Sequence, residues 1–180
     1  MTASNDARVV DTLLRKWETE NVRIGDANQE KRIEEFEEAH RIKLPEDFKR
    51  YLLKANGMQP GAPHDTDKNG YCFWPIQRIR SAAVELQEPH HYANKIDLAN
   101  PELLQYFIFA DYLQWSWAFA IRISESAIET SEVFRVDGPK IIVKVANSFA
   151  EFVDLYLIDD VRLYDLGNTA NFQNPLPPKS

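Results

Sequence analysis

Asp65, Asp67, Asn69 and Gly70, in the stretch DTDKNG, repeat the first half of a calcium-binding loop. Such a loop closes its oxygen shell with a bidentate glutamate at position twelve. Here position twelve is Ile76, and the incoming segment is QPGAPH rather than a helix, so the stretch reads as a polar turn. The four histidines, His40, His64, His90 and His91, make none of the HxH, HxxxH or HExxH spacings that let two imidazoles share an ion. Cys72 is the single cysteine, which forbids an internal disulfide and a thiolate metal site. Within YCFW it reads as a small buried thiol. The chain has no GxSxG elbow and no GxxxxGK[ST] phosphate loop, and its carboxylates are scattered rather than set as a pair. The expectation is a protein with no catalytic residues, no metal and no cofactor. An enzyme with an unrecognised site stays open as an alternative.

Two other sets of residues suit recognition. Glu30, Glu34, Glu35, Glu37 and Glu38 crowd one predicted helix, either as a solvated face or as an acidic patch that meets a basic protein. Trp74, Tyr112, Trp115 and Trp117 cluster in or near predicted strands, where most belong to a core. Trp115 lies near a hairpin tip and is the best candidate for exposure, and exposed aromatics beside carboxylates resemble protein-binding hot spots. The net charge of −7 repels phosphate backbones and disfavours nucleic acid, whereas it suits a basic protein partner.

The elements that must carry these residues can be read in order. Val10, Leu13, Leu14 and Trp17 give helical spacing over 6–18. A second helix spans QEKRIEEFEEAHR, with Asp26 and Gln29 at capping-box spacing, Asn28 as a competing cap, and Ile33, Phe36 and His40 on one face. In KLPEDFKRYLLKANG, Pro45 fits the first turn of a third helix, Glu46 and Asp47 suit its dipole, Phe48, Tyr51, Leu52 and Ala55 form its apolar face, and Asn56-Gly57 supplies a left-handed ending. YCFWPI is a short strand, and Pro75 within it argues for an edge or a bulge. RSAAVELQE reads as a short helix. FIFADYL and SWAFAIRIS form a hairpin turning in two or three residues around Gln114 and Trp115. SEVFRV and KIIVKVA form another around Asp137-Gly138-Pro139. Ser148 and Glu151 open a closing helix with Phe149, Phe152, Val153 and Tyr156 on one face. Helices, then a mostly antiparallel sheet, then a helix is an α+β order in a single domain.

Taken together, these segments resemble the SUKH superfamily, the Smi/Knr-like proteins. The residues that carry the likeness are Ile33, Phe36 and Glu37; Leu44, Pro45, Asp47 and Phe48; Leu52 and Leu53; Asn56 and Gly57; Trp74, Pro75 and Ile76; Ala110 and Asp111; and Ala146, Ser148, Phe149 and Phe152. They run in order over roughly residues 29 to 158. Met58, Gln59 and Pro60 stand where the family usually shows more glycine. The resemblance implies a central, mostly antiparallel sheet packed by helices and a binding protein rather than an enzyme. Bacterial members typically act as immunity proteins that neutralise a cognate polymorphic toxin domain, often a nuclease or deaminase. Fungal relatives regulate cell-wall assembly through protein contacts.

The leading expectation is therefore an immunity protein that sequesters a toxin expected to be basic because the chain itself is acidic, with a fungal-type regulatory adaptor as the alternative. Glu37, Asp111, Tyr112 and Trp115 are expected to face the partner. The expected organisation is a helical extension over 1–22, the SUKH-like domain over 23–165 and a Pro/Asn-rich tail over 166–180. No apolar run approaches the roughly 18 to 20 residues a membrane helix needs, and MTASNDARVVDTLLRKW lacks the layout of a signal peptide. The expected compartment is the cytoplasm.

Overall fold

A computed structural model describes residues 3–59, 66–88, 101–138 and 142–165. The expectations that fall on Asp65, His64, His90, His91 and the 166–180 tail lie outside the described residues. Among those described are five α-helices and one six-stranded antiparallel sheet, an α+β arrangement. The strands are β1 (Tyr71–Phe73), β2 (Arg80–Ser81), β3 (Tyr106–Tyr112), β4 (Trp117–Arg122), β5 (Val133–Val136) and β6 (Ile142–Ala146). Their order is β1-β3-β4-β5-β6, and β2 also pairs with β3. β1 pairs with residues 110–112 and β2 with 107–108, so the two share one edge of β3 end to end. A register shift between Ile108 and Ala110 bulges β3 at Phe109.

Three helices, α1 (Ala3–Thr19), α3 (Glu46–Leu52) and α5 (Phe149–Leu157), pack on one another over this sheet. The bulged Phe109 ring meets Phe48 of α3 at 5.5 Å and Phe149 and Phe152 of α5 at 5.5 and 5.2 Å. Edge-on contacts of this kind add to the area that large rings bury. On α1, Val10, Leu13 and Trp17 are buried, as their spacing predicts. Trp17 Nε1 donates to the Tyr156 hydroxyl at 3.0 Å, and that hydroxyl donates to buried Asp67. Burial, and then the Asp67 carboxylate, push the Tyr156 phenol far above its ordinary range. Asp67 also accepts from the backbone N–H groups of Asn69 and Tyr71, both at 2.9 Å. The DTDKNG aspartate thus closes its own turn and anchors α5.

Two acidic or amide side chains hold distant segments together. Asp47 Oδ1 accepts from Phe48 N, and its Oδ2 accepts from Phe149 N at 2.9 Å and Ala150 N at 3.4 Å. A carboxylate of α3 therefore sits at the N-terminus of α5, where unsatisfied N–H groups and the helix dipole favour negative charge. Asn56 Oδ1 accepts from Ile76 N at 2.7 Å and from Asn28 Nδ2 at 3.2 Å. Beside it, Gly57 lies at φ +65°, and a Cβ there would stand 2.4 Å from the Trp74 carbonyl carbon.

Several local expectations are corrected. The second helix, α2, is Glu30–His40, and neither Asp26 nor Asn28 caps it: its N-cap is Gln29, without a side-chain hydrogen bond. Asn28 turns inward to Leu52 O at 2.9 Å and Asn56 instead. α3 begins after Pro45, which is its N-cap, and ends at Leu52. Gly57 is left-handed but is not the helix ending; it crosses the backbone of Phe73 and Trp74. Arg80–Ser81 is a strand, which shortens the following helix, α4, to Ala82–Glu85. The closing helix keeps its cap: Glu151 N donates to Ser148 Oγ at 3.0 Å, while the Glu151 carboxylate takes Asn147 N at 2.8 Å rather than the cap residue's own N–H.

Candidate protein-binding surface

The β3–β4 hairpin gathers three of the four residues expected to face a partner. Its turn takes four residues, Leu113 to Ser116, rather than two or three. Leu113, Gln114 and Trp115 have φ of 46°, 52° and 74°. Left-handed backbone costs a side-chain-bearing residue roughly 1–2 kcal/mol. Asn21, Arg41 and Asp159 also lie there, and each stands one or two residues past the end of a helix, where that conformation is the common stop. The hairpin has no such local cause and no Asn-Gly pair to lower the cost. Hydrogen bonds hold it: Leu113 N to Gly70 O at 2.8 Å, Ser116 N to Tyr112 O at 2.9 Å and Trp115 N to Asp111 Oδ1 at 3.3 Å. The result displays Leu113, 53% exposed, and Gln114 at the tip, with Trp115 half-buried behind them.

Each side of the hairpin carries a cation stacked on an indole. On one side Tyr112 stacks on Trp117 with centroids 4.3 Å apart, and the Arg135 guanidinium lies 3.9 Å from the Trp117 ring centre. Buried Arg135 makes a fork to Asp137 with two bonds of 2.7 Å and donates to Tyr164 O at 2.6 Å. On the other side Trp74 Nε1 donates to Asp111 Oδ2 at 2.6 Å, and the Arg78 guanidinium covers the Trp74 ring at 3.8 Å. The Trp115 ring stands 6.2 Å from Trp74. Such stacking suits arginine because its guanidinium is flat and weakly hydrated.

Asp111 itself is only 3% exposed. Burial pushes its carboxyl up, and the bonds from Trp74 and Trp115 and the charge of Arg78 only partly oppose that. A group raised in the fold stabilises below its unfolded pKa and loses that contribution as pH rises through the folded value. At neutral pH its ionised form is therefore a burden. Asp111→Asn, which keeps an acceptor for Trp74 Nε1, is expected to melt at the same temperature as wild type or higher at pH 7. The wild type should gain on the variant as pH falls towards 4, which thermal melts across that range will show.

Glu37 lies elsewhere and is 3% exposed. It projects from α2 into the start of the next segment, where Oε1 accepts from Leu44 N at 2.9 Å and Oε2 from Lys43 Nζ at 2.8 Å. Lys49 Nζ is 3.2 Å away. Burial pushes its carboxyl up, but Lys43, the Leu44 N–H and Lys49 together outweigh that and hold it below the ordinary 4.5. Its neighbours Glu30, Glu34, Glu35 and Glu38 are the exposed members of the acidic helix. Because the Glu37 value is lowered in the fold, its contribution is present above the unfolded pKa and lost as pH falls through the folded one. Glu37→Gln is expected to cost about 1–2 kcal/mol at pH 7. The gap should close below about pH 4, read from urea unfolding at several pH values.

Cys72, the single cysteine, is buried and in no disulfide. Among the described residues no three His, Cys, Asp or Glu side chains come together as a metal-binding group. None of the described helices is long and apolar enough to cross a membrane.

The buried motif residues have a common pattern: Glu37 ties α2 to residues 43–49, Asp47 ties α3 to α5, and Asn56 and Gly57 tie the loop after α3 to the end of β1 and the residues that follow it. A sequence model of the SMI1/KNR4 family (SUKH-1) matches residues 28–155, the span that these ties enclose. The chain belongs to the SMI1/KNR4 family. No curated protein matches the chain. The SMI1/KNR4 match starts after α1, yet α1 packs into the same core through Trp17. Asp111, Tyr112 and Trp115 stand out in the sequence, whereas Arg78 and Arg135 do not. Their stacking on indoles leaves no spacing signal, since Arg135 reaches Trp117 only through strand pairing.

Proposed function

We propose that the chain is an immunity protein that neutralises a cognate toxin domain by tight binding, without catalysis, and that the β3–β4 hairpin is the centre of its binding surface. The observation that carries this reading is the run of three left-handed, non-glycine residues at an exposed turn. Strain of this kind persists where the surroundings over-determine it, and it gathers at functional sites. Tyr112, Trp115 and the tip residue Leu113 supply the amphipathic contact area that hot spots favour. Asp111 and Glu37 serve from beneath: the first fixes Trp115 and Trp74, the second ties α2, which carries the exposed glutamates, to residues 43–49. An acidic protein that meets a basic nuclease gains encounter rate from complementary charge. Family membership supports protein binding, and the immunity role extends what is typical of bacterial relatives. A regulatory adaptor of the fungal type would use the same surface on another partner.

The hairpin claim can be tested by relieving the strain. Leu113→Asn with Gln114→Gly supplies residues that accept left-handed backbone. The double variant is expected to raise the unfolding free energy by roughly 1–2 kcal/mol and to lose toxin capture. A variant that is no more stable, or that binds as wild type, would remove the hairpin from the account.

A further inference from the structure

We propose that Trp74 and Asp111 form a cradle for an arginine or lysine side chain of the protein partner, and that Arg78 occupies it in the free protein. The inference rests on the hairpin being the binding surface and specifies the chemistry of its central contact. A cation site needs an electron-rich face and a nearby carboxylate. Both are present: the Trp74 ring, fully buried with the Arg78 guanidinium over its face, has an electron-rich surface that only Arg78 covers from the solvent side when its side chain is in place, and its Nε1 holds Asp111 Oδ2 at 2.6 Å. Asp111 Oδ1 is aimed by the Trp115 N–H at 3.3 Å. The carboxylate is buried and oriented by two donors, so it cannot turn away to water.

The present occupant stacks closely on the ring but pairs with the carboxylate only at long range. The Arg78 guanidinium carbon lies 3.8 Å from the Trp74 ring centre, while its Nη2 is 3.6 Å from Asp111 Oδ2. The side chain is 44% exposed. It projects from a short turn in which Arg78 N and Ile79 N both reach back to Pro75 O. Nothing in that geometry prevents the side chain from swinging into solvent while its backbone stays in place. An incoming guanidinium could then stack on Trp74 and pair with Asp111 at closer range. The alternative guest, a partner carboxylate on Arg78, would approach Asp111 and Glu85, whose negative charge already bears on Asp111. The cationic guest is favoured by both the site and the net charge of −7.

The test needs no toxin. Nitrogen-15 labelled protein has four tryptophans, whose indole N–H signals can be followed separately, with Trp74→Phe assigning the one that matters. N-acetyl-arginine amide is titrated into wild type, Arg78→Ala and Arg78→Ala/Asp111→Asn. The expected result is a saturable shift of the Trp74 signal in Arg78→Ala, with affinity about three-fold or more above wild type. The shift should be absent in the double variant, and N-acetyl-glutamine amide should produce none. Unchanged signals elsewhere in the spectrum report that each variant is folded, and Arg78→Gln provides a second opening of the site. No shift in either folded Arg78 variant overturns the proposal. So does a shift that survives Asp111→Asn, and so does binding of N-acetyl-glutamate amide to wild type that Arg78→Ala abolishes. A positive titration with failed toxin rescue would keep the cradle and discard the toxin; the reverse would keep the immunity role and discard the cradle.

Discussion

Asp47→Ala is expected to lower the unfolding free energy by roughly 3–5 kcal/mol. The carboxylate accepts from three backbone N–H groups, those of Phe48, Phe149 and Ala150. Alanine leaves these donors without it in a region closed to water, and each buried, unsatisfied donor costs about 1–3 kcal/mol. The loss also removes a negative charge from the start of α5. Asp47→Asn should recover only part of the stability, because its amide nitrogen would face other donors. Ser148→Ala, which removes only the local cap of α5, should cost about 1 kcal/mol. Urea unfolding of the three variants, with the slope unchanged from wild type, will rank them. Equal effects of Asp47→Ala and Ser148→Ala would show that the bond between α3 and α5 carries little.

The second large effect is expected at Gly57. Alanine there must accept φ of +65° and place its Cβ 2.4 Å from the Trp74 carbonyl carbon and 2.5 Å from its oxygen. The obstacle is backbone, so no rotamer change relieves it. Left-handed strain and overpacking together make a loss of about 3 kcal/mol or more. Gly25→Ala separates the two causes, since it meets Asn56 O at 2.4 Å without a left-handed φ. It should fall short of Gly57→Ala by about 1 kcal/mol. A Gly57→Ala protein that unfolds at the wild-type urea midpoint would mean that β1 can move away from this loop.

The helices are legible because their apolar faces are periodic, and the longer strands because aromatic and β-branched residues crowd them, whereas β2 leaves no such signal. Trp17, Phe48, Phe149 and Phe152 are all buried where the 3.6-residue spacing places them. The ties between them were not legible. Asp47 looked like an ordinary first-turn acid, and its partners on α5 lie 102 and 103 residues away. Nothing local distinguishes an acid that caps its own helix from one that caps another. Glu37 sits among four exposed glutamates, and only the Leu44 N–H and two lysines mark it as the buried one. Asn56-Gly57 has the pattern of a helix ending, which that pair commonly is. It instead lets two backbones pass at close range, a requirement set by Phe73 and Trp74 and so invisible to local reading. The aromatic content of the hairpin could be seen in advance, whereas its left-handed turn could not, since Leu-Gln-Trp has no turn signature.

The most direct test of the binding account is growth rescue with co-purification. A candidate cognate toxin domain is expressed in a bacterial host alone, with the wild-type chain, and with the Leu113→Asn/Gln114→Gly variant. The expected result is rescue and a stable complex with wild type, and neither with the stable, folded variant. Rescue by both proteins with equal complex yield would contradict the hairpin as the binding surface, and absence of rescue and complex with wild type would contradict neutralisation of that toxin by binding.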